Sequence, residues 1–282
     1  MKALYSSLSE PIAGPLGHWS VLRCEGLDAE AFLQSQLSSD VAALSPGGAQ
    51  WSAWLSPKGR VLALILLWRR HKEVFELLLP DHPAESLAPA LSRFILRRKA
   101  KLLLPRHAWI MAGIGTEPPS AAVKLGGMPA RWLTTAELPA PADAPTIDLP
   151  WKRLDLVSGV PRIAAEGGGH TAHMLGLDRL QAISLTKGCY PGQEIVARTH
   201  YLGQSKRSLQ CLWRDHPEPP ATGTPVSLAG QTVGEVVCAV ALDTGLSLLQ
   251  AVASALQDGA GYECGSATAQ PVALVAAPVP LP

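Results

Sequence analysis

The residues best suited to chemistry in this chain lie together in one short segment, Lys187-Gly188-Cys189-Tyr190-Pro191-Gly192-Gln193-Glu194. It places an ammonium, a thiol, a phenol, an amide and a carboxylate close together in the sequence. Gly188 and Gly192 can adopt positive φ, and Pro191 fixes its own φ while it moves Tyr190 away from helical angles. We therefore expect a loop of defined shape that presents these side chains. The alternative is an ordinary tight turn whose polar groups only face solvent.

The thiol of this segment differs from the others in its sequence surroundings. Cys189 lies among polar, turn-forming residues, whereas the other four cysteines lie in apolar, strand-like runs or near the C-terminus. A thiol close to a lysine such as Lys187 has a lowered pKa and a larger thiolate fraction. Cys189 and Lys187 are therefore the catalytic candidates, for a redox-sensitive or sulfur- or metal-contacting role. The alternative is a buried thiol that acts as a small apolar side chain, the commonest fate of a free cysteine.

A family resemblance favours the functional interpretation. Residues 187–194 resemble the K-G-C-Y-x-G-Q-E signature of the YgfZ-type folate-binding proteins, which are relatives of the glycine-cleavage T-protein and of mitochondrial iron–sulfur assembly proteins. Two earlier segments resemble the family in the correct order. Residues 28–40 resemble its D-A-x-x-F-L-Q-x-Q motif, and Lys58-Gly59 resembles its hairpin. The resemblance extends over roughly residues 17–265 and is strongest at 187–203.

The resemblance implies a cofactor, partners and contact residues. The cofactor is tetrahydrofolate or another reduced folate, and the implied role is to support iron–sulfur enzymes or their assembly, including enzymes that modify tRNA. The implied folate contacts come from the signature and the two earlier motifs: Tyr190, Gln193, Glu194, Arg198, Gln34, Gln36 and Lys58. Tyr190 could stack on a pterin or simply pack. Glu194 could bond a pterin amine or cap a helix, and Lys187 and Arg198 could pair with a glutamate tail or with Glu194.

One departure from the T-protein pattern bears on the reaction. T-proteins have P-x-E where this chain has Ala172-His173-Met174, so an expected carboxylate is missing. Some bacterial YgfZ-type proteins also have methionine there, so the family resemblance holds. The loss argues against folate-dependent aminomethyl transfer, which remains the alternative function. A second alternative is an RNA-binding module that uses two basic clusters, 69–72 and 97–106, which could equally be a solvated rim.

Composition excludes several classes of protein. The chain has 282 residues, which suggests about two domains, and 47% apolar residues, which is enough for a core. A net charge of +1 makes no case for nucleic-acid or membrane binding, and the apolar run 61–68 is too short to span a bilayer. Five scattered cysteines without C-x-x-C indicate a reducing compartment and argue against a zinc or iron–sulfur site built from the cysteines of one chain. We expect a cytoplasmic monomer without a secretory signal.

The resemblance implies an α+β fold: a GcvT-like folate-binding region at residues 1–204 and a small β-barrel at 205–282. Residues 50–145 could form a separate α+β subdomain. The hydrophobic pattern predicts strands at 19–24, 51–55, 61–68, 74–79 and 108–114, and helices at 29–37, 83–98, 135–138 and 173–185. Residues 154–160 fit either element, and the tail from 276 is expected to fray. The composition of 246–256 could form a helix, but the family's C-terminal barrel implies a strand there.

Overall fold

The structure is a computed structural model that describes residues 10–137, 144–163, 169–203, 205–257 and 259–281. The helices in these ranges are α1 Ala29–Gln36, α2 Ala84–Ser92, α3 Asp148–Ser158 and α4 Gln193–Leu202. The strands are β1 Ile12–Leu16, β2 Trp19–Glu25, β3 Ala49–Leu55, β4 Val61–His71, β5 Val74–Pro80, β6 Lys101–Leu103, β7 Trp109–Ile114, β8 Val123–Leu125, β9 Arg131–Ala136, β10 Ser208–Arg214, β11 Pro225–Leu228, β12 Gln231–Ala241, β13 Ser247–Ala253, β14 Tyr262–Cys264 and β15 Ala267–Val272.

The strands form two open antiparallel sheets and a closed barrel. One open sheet has the order β3-β4-β5-β2-β6 and the other β1-β7-β9-β8, while the barrel has the order β10-β13-β12-β11-β14-β15. The α+β class and the C-terminal barrel are thus confirmed. Both open sheets combine strands from before residue 26 with strands from after residue 49, so the sheets do not set residues 50–145 apart. The domain boundary near residue 204 stays a prediction.

Strand β4 is apolar along most of its length because both of its faces are buried. Leu64, Leu66 and Trp68 join the large core toward the four-stranded sheet and the barrel. Ile65 and Leu67 alternate with them and pack under α1 and α2 in a second core. A strand covered on both faces has no polar side and reads as a continuous apolar run. The barrel encloses a smaller core of its own.

Tryptophans occupy the centre of the large core and hold the C-terminal tail. The ring of Trp19 lies 6.4 Å from that of Trp51 and 6.2 Å from that of Trp151. The buried indole of Trp51 donates to the carbonyl of Pro278 at 2.8 Å. The tail also bonds to β8, where Leu281 N donates to Lys124 O at 2.8 Å. The prediction of a frayed tail is wrong for residues 276–281, since a buried indole N–H requires an acceptor.

Several element predictions need correction. Residues 172–181 form consecutive turns instead of a helix, because Gly176 and Gln181 take positive φ values of 67° and 55°. The helix predicted over 83–98 ends at Ser92, and Leu96 has a φ of 52° beyond it. Residues 135–136 belong to β9, so no helix begins there, and Leu138 lies outside the described residues. Residues 154–158 are helical, and the strand predicted over 246–256 is confirmed as β13. Within the described ranges, no helix is long and apolar enough to cross a membrane.

Candidate functional site

The signature loop, residues 187–194, is fastened to the segment at residues 28–40, which we call the first motif. Lys187 is 8% exposed, and its ammonium donates to the carbonyls of Leu37 at 2.6 Å and Ser39 at 2.8 Å. These carbonyls follow the last turn of α1, where no helical N–H can reach them. Burial lowers the Lys187 pKa to about 8, although the nearby Asp40 carboxylate acts in the opposite direction. Through these two hydrogen bonds, the Lys187 ammonium joins the signature loop to the first motif.

The β3–β4 hairpin is fastened to the same loop through two glycines. Gly59 and Gly192 have φ values of 68° and 79°, in the region that favours glycine. A Cβ on Gly192 would lie 2.6 Å from Ser56 O and 2.9 Å from the Cα of Gly59. A Cβ on Gly59 would lie 2.8 Å from the Cβ of Ile195. The hairpin motif at Lys58-Gly59 thus touches the signature loop so closely that a side chain on either glycine would collide with the other segment.

Cys189 is the exposed thiol of the chain, and all five cysteines lie in the described ranges. The other four are buried. Burial raises the pKa of Cys24 and of Cys211 to about 12, and it also raises the pKa values of Cys238 and Cys264. A buried thiol of this kind is inert, whereas an exposed one can reach a reactant. The buried-thiol alternative for Cys189 is excluded, and its reactive role stays a prediction.

Tyr190 packs against the fastened lysine. It is 6% exposed, its hydroxyl donates to Ser184 O at 3.1 Å, and its ring centroid lies 5.0 Å from the Lys187 ammonium. A cation over an aromatic face is attracted to the ring electrons. Burial raises the Tyr190 pKa to about 12. In this arrangement the phenol supports the loop, and its ring does not lie on the surface for a pterin to stack on.

Four other predicted contacts lie toward solvent around the loop. Lys58, Glu194 and Arg198 are exposed, and none of them forms an ion pair with another described residue. Gln193 is half-buried, and its amide donates to Lys187 O at 3.4 Å. Glu194 and Arg198 are four residues apart on α4, so they share one face of that helix. The structure brings these polar groups onto the two segments that meet at Gly192.

The two glutamines of the first motif behave differently from each other. Gln34 is occupied by its own loop: its amide donates to Asp40 Oδ1 at 2.9 Å, and its oxygen accepts from Val41 N at 2.7 Å. Gln36 is 8% exposed, and its Oε1 has no hydrogen-bond partner among the described residues. Gln34 therefore shapes the chain around Ser39, whereas the Gln36 oxygen is buried away from solvent.

A cavity of about 190 Å³ lies beside the same turn of the hairpin, between the α/β region and the barrel. Its walls are largely apolar and include Val61, Leu175 and Val236. The polar groups in the wall include His170 and Glu235, whose side chains approach to 3.6 Å. The pKa of His170 is lowered, mainly because its ring is partly buried. Sequence reasoning missed this site because its residues come from segments without a recognisable motif.

The arginine in that wall is already used. Arg162 donates to both oxygens of Asp81 at 2.5 Å and to Asp155 at 2.7 Å. Asp155 also accepts from Arg131 at 2.7 Å. Burial alone would lower the Arg162 pKa, but the hydrogen bonds and charges of Asp81 and Asp155 raise it above its usual value. The groups left for a ligand are therefore His170, Glu235 and the exposed Thr222. Apolar walls with a few hydrogen-bonding groups fit a flat heteroaromatic ring, so the residues present suit a pterin.

Comparison with known proteins identifies the family, although no protein-family model matches the chain. It is 31% identical over 201 residues to an uncharacterized protein of Haemophilus influenzae, and covers 70% of that protein with 69% of its own length. The tRNA-modifying protein YgfZ of Colwellia psychrerythraea is 27% identical over 240 residues, with 73% of each chain covered. That of Sodalis glossinidius is 26% identical over 273 residues, with 84% of this chain and 83% of that protein covered.

The chain belongs to the YgfZ family. Its fold is GcvT-like: the glycine cleavage system aminomethyltransferase T of Bartonella henselae superposes with a TM-score of 0.71 at 16% identity, covering 96% of this chain and 87% of that one. The predicted GcvT-like fold is confirmed. In this YgfZ-family chain, the signature, hairpin and first motif meet through the Lys187 and Gly192 contacts. Among the described residues, no group of three or more histidine, cysteine or carboxylate side chains could hold a metal ion.

Replacing Lys187 by methionine should lower the free energy of unfolding by roughly 1–3 kcal/mol at neutral pH, because two buried carbonyls lose their donor. Folding lowers the lysine pKa from 10.5 to about 8, so the folded state loses this proton first as the pH rises. Wild-type stability should therefore increase between these values through Lys187, and the variant should lack that increase.

Urea unfolding at several pH values measures both effects of the Lys187 substitution. The stability gap between wild type and Lys187→Met should widen from pH 7 to pH 10. Lys58→Met is the matched control, since Lys58 is exposed in the turn that contacts the same loop. A gap that stays constant or narrows with pH would contradict the assigned role of the buried ammonium.

Proposed function

We propose that this chain is a cytoplasmic accessory protein that binds a reduced folate and supports iron–sulfur enzymes, including enzymes that modify tRNA. The observation that carries the proposal is the exposed Cys189 on a loop fastened by the Lys187 and Gly192 contacts. A chain that fixes the backbone around an exposed thiol, while it buries its other four, is organised to present that thiol. The relatives named tRNA-modifying protein YgfZ and the GcvT-like fold support the proposal.

The hairpin gives the proposed thiol and folate sites a common support. Gly59 touches the signature at Gly192, and Val61 lines the cavity. Arg60 between them donates to Gly169 O at 2.5 Å, beside His170 in the same wall. We propose that His170, Glu235 and Thr222 hold the pterin. Of the contacts implied by the family resemblance, Gln193, Glu194, Arg198 and Lys58 remain proposed for the folate itself. Tyr190, Gln34 and Gln36 are buried or hydrogen-bonded within the fold, and we propose that they support that surface. A bound reduced folate would supply a carrier of one-carbon units.

In this structure the position of the missing carboxylate belongs to the packed interior. Ala172 is fully buried, Met174 is partly buried, and the ring of His173 between them lies 6.4 Å from the ring of His200 on α4. A thioether cannot replace a carboxylate in a charge-assisted hydrogen bond to a pterin. The proposal therefore concerns folate binding and the thiol, with no aminomethyl transfer.

Calorimetric titration with tetrahydrofolate tests the folate part of the proposal. We expect binding at sub-millimolar concentration, and Thr222→Trp should weaken it by at least about tenfold, equivalent to ~1.4 kcal/mol, because the indole would fill the cavity mouth. Thr222 is exposed, so the substitution leaves the core intact. Thr268→Trp is the matched control on an exposed position of β15 in the same barrel.

The titrations of wild type and the two variants distinguish whether the chain binds folate from where it binds it. Absence of binding by wild type would contradict the folate proposal. Equal weakening by Thr222→Trp and Thr268→Trp would show that the cavity is not where the folate binds. Unchanged affinity in both variants would move the site to the exposed groups around the signature loop.

A further inference from the structure

The cavity that contains His170, which we call the His170 cavity, can enclose only part of a folate. Its volume is about 190 Å³, whereas pockets that enclose a whole drug-sized ligand measure roughly 300–1,000 Å³. The pterin ring is the part of a folate that suits a small, largely apolar space. The aminobenzoyl-glutamate part of the same molecule carries the carboxylates, and it must therefore continue outside this cavity.

A second cavity, of about 400 Å³, shares a wall segment with the His170 cavity. Within residues 169–176, His170 and Leu175 line the His170 cavity, whereas His173 and Gly176 line the second cavity. The rest of the second wall comes mainly from strands β10 and β15 and from the chain that follows β15. The two cavities therefore lie side by side, where this segment meets the barrel.

The wall of the second cavity offers donors for carboxylates. Arg179 lines it and is exposed, and its Nη2 donates to Val275 O at 3.2 Å. A guanidinium has several N–H donors, so others are left for a ligand. Ser208 Oγ accepts from the Gln210 amide at 2.7 Å, which leaves the hydroxyl hydrogen able to donate. The carboxylate in this wall is that of Asp178, which is also exposed.

Two further arginines lie at the boundary between the cavities. Arg60 donates through Nη1 to the carbonyl of Gly169, a wall residue of the His170 cavity, at 2.5 Å. Arg207 is exposed and immediately precedes Ser208, a wall residue of the second cavity. Each arginine is thus tied to one cavity wall, and neither of them is buried.

The charges of these two arginines reach the same imidazole. Burial lowers the pKa of His170 most and Glu235 acts in the opposite direction, while the charges of Arg60 and Arg207 lower it further. Within the described part of the chain, Arg60, Arg179 and Arg207 form no ion pair with a carboxylate. The edge of the two cavities therefore carries three cations that a ligand with several carboxylates could pair with.

We propose that the second cavity binds the γ-linked glutamate chain of a folate whose pterin occupies the His170 cavity. This inference rests on the proposed folate function and names the form of the cofactor, a reduced folate with several glutamates. Arg60 and Arg207 hold the carboxylates nearest the pterin, and Arg179 holds those farther along the chain. Ser208 donates to the chain from the barrel side.

The signature loop offers fewer cations for such a chain. The ammonium of Lys187 lies on the carbonyls of Leu37 and Ser39, so it cannot also hold a glutamate tail. Arg198 is exposed on α4 and is the competing cation. Comparing Arg198 with the arginines beside the second cavity therefore decides where the glutamate chain lies.

Calorimetric titration of the full chain with tetrahydrofolate that carries either a single glutamate or about five measures the effect of these charge-assisted bonds. Wild type should bind the longer form roughly tenfold more tightly at low salt, and added salt should reduce this ratio because it screens the exposed arginines. Arg207→Gln should lower the ratio by about threefold, with a smaller effect on the single-glutamate form. Arg93→Gln is the matched control, since Arg93 is exposed after α2 and lines neither cavity.

Arg179→Gln is the second test variant and should lower the same ratio. Its guanidinium also packs over Gly159, where an added Cβ would lie 2.2 Å from Nη1. Thermal unfolding of each variant verifies that the fold is kept, and Arg207→Gln alone still tests the proposal if Arg179→Gln does not fold.

The outcomes distinguish this inference from the folate function on which it rests. Equal affinity of wild type for the two forms would overturn the inference and leave the folate function intact. Absence of binding by either form would contradict the folate function itself. A preference that survives Arg179→Gln and Arg207→Gln but disappears in Arg198→Gln would move the chain to α4. A free γ-glutamate peptide that binds as tightly as the long folate would replace the folate tail by an acidic peptide as the occupant.

Discussion

Replacing Cys189 by alanine is expected to abolish support of iron–sulfur enzymes in cells, while the free energy of unfolding stays within about 1 kcal/mol of wild type. The structure gives the reason for the second half of this expectation. Cys189 is exposed, so the substitution removes one sulfur from the surface and leaves no cavity. The loop conformation should persist, because Lys187 and Gly192 fasten it through contacts that do not involve the thiol.

The measurement combines a thermal midpoint with the activity of a dependent iron–sulfur enzyme in cells that lack the wild-type protein. Cys211→Ala is the matched control, since Cys211 is 1% exposed and its loss leaves a cavity. It should reduce stability more than Cys189→Ala does and retain function. Full complementation by Cys189→Ala would refute the thiol role and leave a function based on folate alone.

Replacing Gly192 by alanine is expected to destabilise the chain by roughly 2–4 kcal/mol and to impair function with it. Gly192 has a φ of 79°, which an alanine adopts only at a cost. The added Cβ would also lie 2.6 Å from Ser56 O and 2.9 Å from Gly59 Cα, both main-chain atoms that cannot rotate away. The hairpin and the signature loop would have to separate.

Gly188→Ala is the matched control within the same loop. A Cβ at Gly188 would meet nothing within 4 Å, and Gly188 is not among the glycines with positive φ. We expect its stability to change by less than about 1 kcal/mol in either direction. Denaturant unfolding of the two variants separates the effects. Equal stability of Gly188→Ala and Gly192→Ala would show that the glycine contact does not hold the two segments together.

The local sequence was enough to predict elements whose buried residues recur with the period of a helix or a strand. Strand β2 and helix α1 have hydrophobic patterns that match their buried faces, because the side-chain period of an element is a local property. Strand β13 was expected only from the family resemblance. Asp28 precedes α1, where an aspartate commonly caps a helix, yet its carboxylate accepts from Lys99 N and makes no capping hydrogen bond. Local propensity could not anticipate that competing partner, which is 71 residues away.

The site was predictable in its parts and not in its arrangement. The signature identified Cys189 as the thiol to consider, but its spacing suggested that Lys187 would act on the neighbouring sulfur. In the fold, the Lys187 ammonium lies on carbonyls 150 and 148 residues away, and Tyr190 packs over it. A long, flexible side chain follows the available acceptors, and those depend on which segments the tertiary structure brings together.

Sequence alone therefore determined the family and the position of the candidate thiol, because both are encoded by residue types at short spacing. The α+β class with its barrel followed from the family resemblance. Tertiary structure alone decided that Cys189 is exposed while the other four thiols are buried, that Gly59 and Gly192 meet, and that His170 and Glu235 line one cavity. The burial of a side chain and the contact between two residues far apart in sequence both depend on how distant segments pack against each other. They arise only when the chain closes its loops, so no local pattern records them.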